Sequence, residues 1–344
     1  MHFDITMPLT LFGVVFLAVL VSGKVERKLK TAFEEREFKV KDAVVIVAII
    51  AVAVSVMAFV PLMAIMTLFL LAYSILLFTF TYIFSDFNKL TSKLFSGVFF
   101  IVSFLAATIS LFTFFPSDAF VAYGAAALYS LCGFSLITLL YEEYRGCAKE
   151  RWYSAVLPSA LFVFLYVFFS RTPIWFPYLL NTYGLVFAVL ITLYLGSLFT
   201  WETSIVFAGL LTVADIVLVL VTGSMVSAAT HVSGLGLPIM VILPIFPQVT
   251  SEWGALYMSL GLGDFFFAGL LAVQTYKKFG KNAAFLSAAA MAISFFLFEM
   301  FILNFNLRAF PGTLMIICGW ALAVLLKVLK DKNVRAESAT SPLP

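Results

Sequence analysis

Apolar segments long enough to cross a lipid bilayer follow one another along almost the whole of this 344-residue chain. A helix of roughly 20 apolar residues spans the hydrocarbon core of a membrane. Only 11% of the residues are charged, against about 25% in a soluble domain. Eleven candidate helices run over 7–22, 43–60, 62–84, 94–115, 119–140, 154–170, 178–199, 203–222, 255–276, 283–304 and 310–329. The sequence therefore predicts an all-α polytopic membrane protein.

The connections between these segments predict how the chain is oriented. Turns at Pro61, Pro116 and 173–177 make three tight hairpins. Lys and Arg are concentrated in the connections 23–42, 85–93, 141–153 and 277–281 and in the C-terminal tail. With eleven spans and the N-terminus outside, all five basic regions are cytoplasmic, as the positive-inside rule requires. We therefore expect an outside N-terminus and a cytoplasmic C-terminus.

The first apolar segment is predicted to be a retained helix. No Lys or Arg precedes it, and the basic stretch "KVERKLK" follows it, which reverses the charge order of a signal peptide. The short loops favour a prokaryotic cell membrane.

Composition points to neither nucleic acid nor a metal. The net charge of +3 is small, and Cys132, Cys147 and Cys318 have no CxxC spacing. We expect no metal and no cofactor, and the oligomeric state is left open.

The one long outer connection, 223–254, contains the apolar string "LPIMVILP". This string is too short to span a membrane and too apolar for a free loop. Bracketed by Pro238 and Pro244, it predicts a short extended segment at the membrane surface or in a groove.

Two carboxylates, Asp215 and Asp264, lie within apolar segments. Ionisable groups at this depth are costly and usually functional. Asp215 is seven residues and Asp264 nine residues from the outer end of its predicted helix, which places them at similar depth on consecutive antiparallel helices. Gly261 is expected on the same helix face as Asp264, and Gly263 adjoins it, so that a partner helix or a substrate backbone can approach closely.

Such a pair has the chemistry of an aspartic protease. Two close carboxylates in a low dielectric share one proton, so one activates water while the other polarises a carbonyl. The same pair suits a secondary transporter or channel that binds a cation or proton, and either Asp alone could be a satisfied structural group. Glu299 is expected to snorkel outward or to pair with Arg308.

The string "LGLGDFFF", with Gly261-Leu262-Gly263-Asp264, resembles the GxGD motif of the intramembrane aspartyl proteases of presenilin and signal peptide peptidase type. In that family the first catalytic Asp lies on the preceding helix, as Asp215 does here. Archaeal members have a connection similar to "LPIMVILP", and signal peptide peptidases have one similar to "FPQ", found here at 246–248. The resemblance covers about residues 200–330.

The resemblance implies a presenilin-like helical bundle of nine to eleven spans with Asp215 and Asp264 as the catalytic pair. Two helices follow GxGD, and the last opens at Pro311, where the family has a Pro-Ala-Leu motif that shapes the active site. Here Gly312 and Thr313 replace Ala and Leu, and Ala214 replaces the usual Tyr. Seven predicted helices precede Asp215, where the family has five.

The implied organisation is a scaffold of helices over 1–200, catalytic helices over 201–330 and a polar cytoplasmic tail over 331–344. The expected substrates are transmembrane peptide segments of type II orientation, and "LPIMVILP" could add a strand to an unwound substrate. The prepilin peptidase branch also carries GxGD, but its smaller architecture fits this chain less well.

Overall fold

The computed structural model describes residues 2–32, 37–86, 88–114, 119–144, 151–247, 250–251, 254–305, 307 and 309–340. Several predictions fall outside these residues. They are the turn at Pro116, the end of "FPQ" at Gln248, the pairing of Glu299 with Arg308, and parts of the connections 23–42 and 141–153.

Twelve helices account for most of the described chain. They are α1 (Thr6–Ala32), α2 (Val40–Met57), α3 (Leu62–Ile83), α4 (Lys89–Phe114), α5 (Ala119–Tyr144), α6 (Trp152–Phe169), α7 (Leu180–Leu198), α8 (Trp201–Ile216), α9 (Ser224–Ser233), α10 (Leu262–Phe279), α11 (Lys281–Phe305) and α12 (Gly312–Thr340). A π-helical turn, Trp175–Leu179, precedes α7, and another, Val217–Val221, continues α8.

Ten of the described helices are long and apolar enough to cross a membrane. The protein is therefore a multi-pass, all-α membrane protein, as the sequence predicts. The predicted span outside this set is α10, whose 18 residues include Asp264, Lys277 and Lys278. Its residues from Phe265 to Thr275 are nevertheless all buried, because α1, α8, α11 and α12 pack around it. A helix that is apolar on every side belongs in a core.

Four short strands interrupt the helices in the long connection before α10. They are β1 (Met240–Pro244), β2 (Thr250–Ser251), β3 (Gly254–Ala255) and β4 (Tyr257–Gly261). Strand β1 pairs antiparallel with β4, from Met240 opposite Gly261 to Pro244 opposite Tyr257, and β2 pairs with β3. The extended segment predicted at "LPIMVILP" is confirmed as β1. The prediction of one helix over 255–276 is wrong, because its first seven residues lie before α10.

The chain forms two compact units. Unit 1 comprises Met1–Val60, Tyr183–Ser233 and Pro238–Pro344, and unit 2 comprises Pro61–Thr182 and Gly234–Leu237. The predicted division at residue 200 falls inside unit 1. Helix α12 continues through most of the segment 331–344 that is predicted to be a polar tail.

Unit 2 is built on helices α3 to α6, with α4 packed along α5. A buried ion pair joins its helix ends: Arg151 Nε lies 2.9 Å from Glu142 Oε1, and Tyr153 also donates to that oxygen. Arg151 additionally donates to the Ser85 carbonyl at 3.4 Å. The ends of α3, α5 and α6 are thereby tied together.

In unit 1, α11 and α12 approach so closely that one position has no room for a side chain. A Cβ on Gly319 of α12 would lie 2.3 Å from the Ala290 carbonyl oxygen and 2.8 Å from Met291 Cα, both on α11. These are backbone atoms and cannot move without separating the helices. Membrane helices commonly pack through small residues, which allow their backbones to approach closely.

We expect Gly319→Ala to destabilise the protein by about 2 kcal/mol or more, since overpacking of this kind forces backbone shifts. Gly209→Ala on α8 is the matched control, because a Cβ there meets nothing within 4 Å, and Ala favours a helix over Gly. Thermal unfolding in detergent measures both. Equal loss of stability in the two variants would contradict the packing described for α11 and α12.

Candidate functional site

Asp215 lies in the last turn of α8, where the start of α12 meets its side chain. The carboxylate is 8% exposed. Its Oδ2 accepts two hydrogen bonds from Thr313, one from the backbone N–H at 3.2 Å and one from the hydroxyl at 2.7 Å. The π-helical turn begins two residues later, and such turns are frequent at functional sites. Hydrogen bonds from Thr313, near the start of α12, therefore fix the position of the Asp215 carboxylate.

Asp264 lies in the first turn of α10. Gly261 caps this helix in an extended conformation, and its backbone hydrogen-bonds the Asp264 carboxylate. The acid is thereby held at the end of the helix where the backbone dipole favours negative charge.

Gly312, the first residue of α12, is packed against the Asp264 carboxyl group. A Cβ on Gly312 would lie 2.6 Å from Oδ1, 2.7 Å from Cγ and 2.9 Å from Oδ2 of Asp264. Any side chain at position 312 would therefore displace the carboxylate. Two adjacent residues of α12 thus reach both acids. Gly312 packs against the Asp264 carboxyl group, and Thr313 donates hydrogen bonds to Asp215.

The two acids line one cavity of about 140 Å³ in unit 1. They are close enough for the charge of Asp215 to act on Asp264. Water occupies about 30 Å³ per molecule in the liquid, so the cavity has room for several waters. The remaining lining is mostly apolar, with Ile50 and Val54 from α2 and Phe207 from α8 among its members. Two carboxylates and water can thus meet where apolar walls keep the dielectric low.

The route of the chain to Asp264 differs from the predicted route. Gly261 is the last residue of β4, so the expectation that it shares a helix face with Asp264 is wrong. The depth estimate of nine helical residues is wrong for the same reason, because strand β4 covers five of them. The ladder continues past the strand pair, since Leu262 N donates to the Ile239 carbonyl at 3.0 Å. Strand β1 is therefore fixed directly beside the residue that caps α10.

Some of the other predicted site residues line this cavity, and others do not. Gly261, Gly263 and Thr313 line it, and a Cβ on Gly263 would meet nothing within 4 Å. Pro311 is buried just before α12 but is not part of the lining. Ala214, where the resembling family has Tyr, also lines the cavity.

Sequence reasoning missed the contribution of α2, because Ile50 and Val54 look like ordinary apolar residues of a membrane helix. Thr313 was predicted to help shape the active site, but its motif departure did not indicate that its hydroxyl would be the direct partner of Asp215. A polar residue just inside an apolar helix was the available signal. Among the described residues, no group of three or more His, Cys, Asp and Glu side chains suits a metal ion.

Glu299 on α11 is another buried acid, and it does not line the cavity. It is 0% exposed, so the expectation that it snorkels to the surface is wrong. Within the part of the chain described, neither carboxylate oxygen has a hydrogen-bond partner. Glu299 lies close enough to Asp4 for the two acids to interact electrostatically. Asp4 is itself buried and accepts the Thr6 and Met7 backbone N–H groups at the start of α1.

No protein-family model and no curated protein matches this chain.

The contact between Gly312 and Asp264 predicts an energetic coupling that unfolding measurements can detect. Gly312→Ala should cost about 1–3 kcal/mol of stability, because its methyl group overlaps the Asp264 carboxyl group. In an Asp264→Ala background the overlapping atoms are gone, so the same substitution should cost much less. A double-mutant cycle measures the difference. An identical cost in both backgrounds would rule out the contact.

Proposed function

We propose that this protein is an intramembrane aspartyl protease of the GxGD type, with Asp215 and Asp264 as its catalytic pair. The observation that carries the proposal is that both intramembrane carboxylates line a single cavity large enough for water. The resemblance of residues 261–264 to the presenilin and signal peptide peptidase motif supports the same activity.

The proposed reaction is hydrolysis through a shared proton. The ionised carboxylate takes a proton from a water in the cavity, and the protonated one donates a hydrogen bond to the substrate carbonyl. Water adds to that carbonyl, a tetrahedral diol forms, and its collapse breaks the peptide C–N bond as the amine takes up a proton. Because the two acids act as one titrating pair, neither is assigned the charge in the resting state. The hydrogen bonds from Thr313 orient one member of the pair.

The strand pair supplies a reason why a transmembrane helix could be cut here. Peptide bonds in a helix are occupied by internal hydrogen bonds, so a substrate must unwind before water can attack. A two-stranded sheet can be extended by a further strand, and an extended peptide can add to a sheet in this way. Strand β4 ends at Gly261, three residues before Asp264, and Met240 of β1 lies opposite Gly261, so an added strand would pass close to the carboxylates.

Orientation completes the proposal. The distribution of Lys and Arg favours an outside N-terminus and a cytoplasmic C-terminus. The resemblance to signal peptide peptidases then favours substrates of type II orientation, with their N-terminus inside.

A transporter or channel that uses Asp215 and Asp264 as a cation or proton site is the alternative. One feature favours it: α10 begins only two residues before Asp264, and transporter sites are often built at the ends of interrupted helices. Hydrolysis of a peptide bond by the purified protein separates the two functions, because a transporter would leave the peptide intact.

The first test compares Asp215→Asn and Asp264→Asn with the wild type on a single-span peptide in detergent. General acid–base groups contribute about 10²–10⁴-fold to rate, so each substitution should reduce cleavage by at least that much. Glu299→Gln is the matched control, since it replaces the carboxyl group of a buried acid outside the cavity, and it should cleave at the wild-type rate. Full activity in either Asn variant would refute the catalytic pair.

The second test concerns the hydroxyl of Thr313. Thr313→Val keeps the shape but removes the 2.7 Å hydrogen bond to Asp215. A hydrogen bond is worth about 1 kcal/mol, and more when its acceptor is charged, so cleavage should fall about fivefold or more. Thr313→Ser retains the hydroxyl and should restore most of the activity. Similar rates for the Val and Ser variants would show that the hydroxyl does not position Asp215.

A further inference from the structure

A second, larger pocket lies in unit 1, at the end of α10 opposite Asp264. It has a volume of about 610 Å³ and is formed by the turn between α10 and α11 and by the later part of α12. Three lysines line it, Lys281 on α11 and Lys327 and Lys330 on α12. We call it the lysine pocket.

Among the side chains that the structure describes, most of the charge of the lysine pocket is uncompensated. Lys327 pairs with Asp331 at 2.6 Å. Lys281 lies with its Nζ 5.6 Å from the centre of the Phe285 ring, and its side chain and that of Lys330 are exposed. Within this described part of the chain, three cations therefore face one carboxylate, and the pocket attracts anions.

The wall of the pocket becomes apolar toward the middle of the helices. Leu286 follows Lys281 along α11, and Leu326 precedes Lys330 along α12; each is 54% exposed and lines the pocket. Both lie within helices long enough to span a membrane. Exposed leucines on such helices face lipid chains, whereas the lysines mark the interface with water. The pocket is thus positive at its mouth and apolar at its base.

We propose that the lysine pocket binds the phosphate headgroup of an anionic phospholipid, with the acyl chains lying along Leu286 and Leu326. Basic pockets between membrane helices bind such headgroups in other proteins. A soluble anion would use the three lysines but not the two exposed leucines, and so a lipid fits the whole pocket better.

A bound lipid would join the two sides of the pocket. Its headgroup would connect the α10–α11 turn to α12. Farther along, α11 and α12 already pack closely at Gly319 and the Ala290 carbonyl. The opposite ends of α10 and α12 hold Asp264 and Thr313. We therefore expect the lipid to stabilise the helices that carry the candidate site, whatever reaction that site performs.

The test uses the full-length protein in nanodiscs of phosphatidylcholine with increasing fractions of phosphatidylglycerol. Native mass spectrometry counts bound phosphatidylglycerol, and thermal unfolding follows stability. We expect phosphatidylglycerol to raise the unfolding temperature. The double variant Lys281→Gln/Lys330→Gln should need about tenfold more of this lipid for the same effect, since each interfacial Lys contributes to anionic-lipid binding.

Two controls make the result decisive. Lys89→Gln/Lys93→Gln removes a second pair of lysines, which contact Glu143 in unit 2, and should respond to phosphatidylglycerol like the wild type. Leu286→Ser/Leu326→Ser should weaken the lipid response while leaving the lysines in place. An unchanged response in Lys281→Gln/Lys330→Gln, or an equal loss in the Lys89/Lys93 variant, would overturn the proposal. So would full stabilisation by inorganic phosphate in phosphatidylcholine alone, which would indicate a site for soluble anions. None of these readouts depends on peptide cleavage.

Discussion

The first two residues of α12 hold the candidate site together, because each of them contacts a different carboxyl group of the pair. Thr313 donates two hydrogen bonds to Asp215, and Gly312 leaves the space that the Asp264 carboxyl group occupies. A buried carboxylate is costly unless hydrogen bonds replace its water. The start of α12 thus stabilises Asp215 by hydrogen bonds and leaves space for the Asp264 carboxyl group. The shared cavity depends on both contacts.

The backbone before Asp264 obeys a second constraint. In a bilayer every peptide N–H and C=O must be hydrogen-bonded within the protein, so non-helical backbone needs a partner. Strand β1 provides that partner for β4, and the bond from Leu262 to Ile239 extends the ladder to the first residue of α10. The chain can therefore reach Asp264 in an extended form, which leaves the acid near a helix start with open space beside Gly263.

Hydropathy predicted the ten helices that are long and apolar enough to cross a membrane and the two acids that line one cavity, because long apolar segments and isolated carboxylates are strong signals. It also predicted an eleventh span over 255–276, which the structure divides into strand β4 and helix α10. It could not separate β4 from α10. Residues 257–261 are as compatible with a helix as with a strand, and only pairing with β1 decides between them. The sequence also could not reveal that Ile50 and Val54 would line the cavity, since apolar residues of α2 look alike before packing. The role of Thr313 could not be predicted either, because its partner Asp215 lies 98 residues earlier in the sequence.

The proposed mechanism requires that Asp215 and Asp264 share one proton and act as a single unit. The pH dependence of peptide cleavage by the purified wild type tests it most directly, provided that product mass confirms cleavage inside the membrane segment. A shared proton predicts a bell-shaped profile, because activity is lost when both acids are protonated and again when both are ionised. A profile with a single limb would show that only one of the carboxylates takes part in the reaction and would contradict the account.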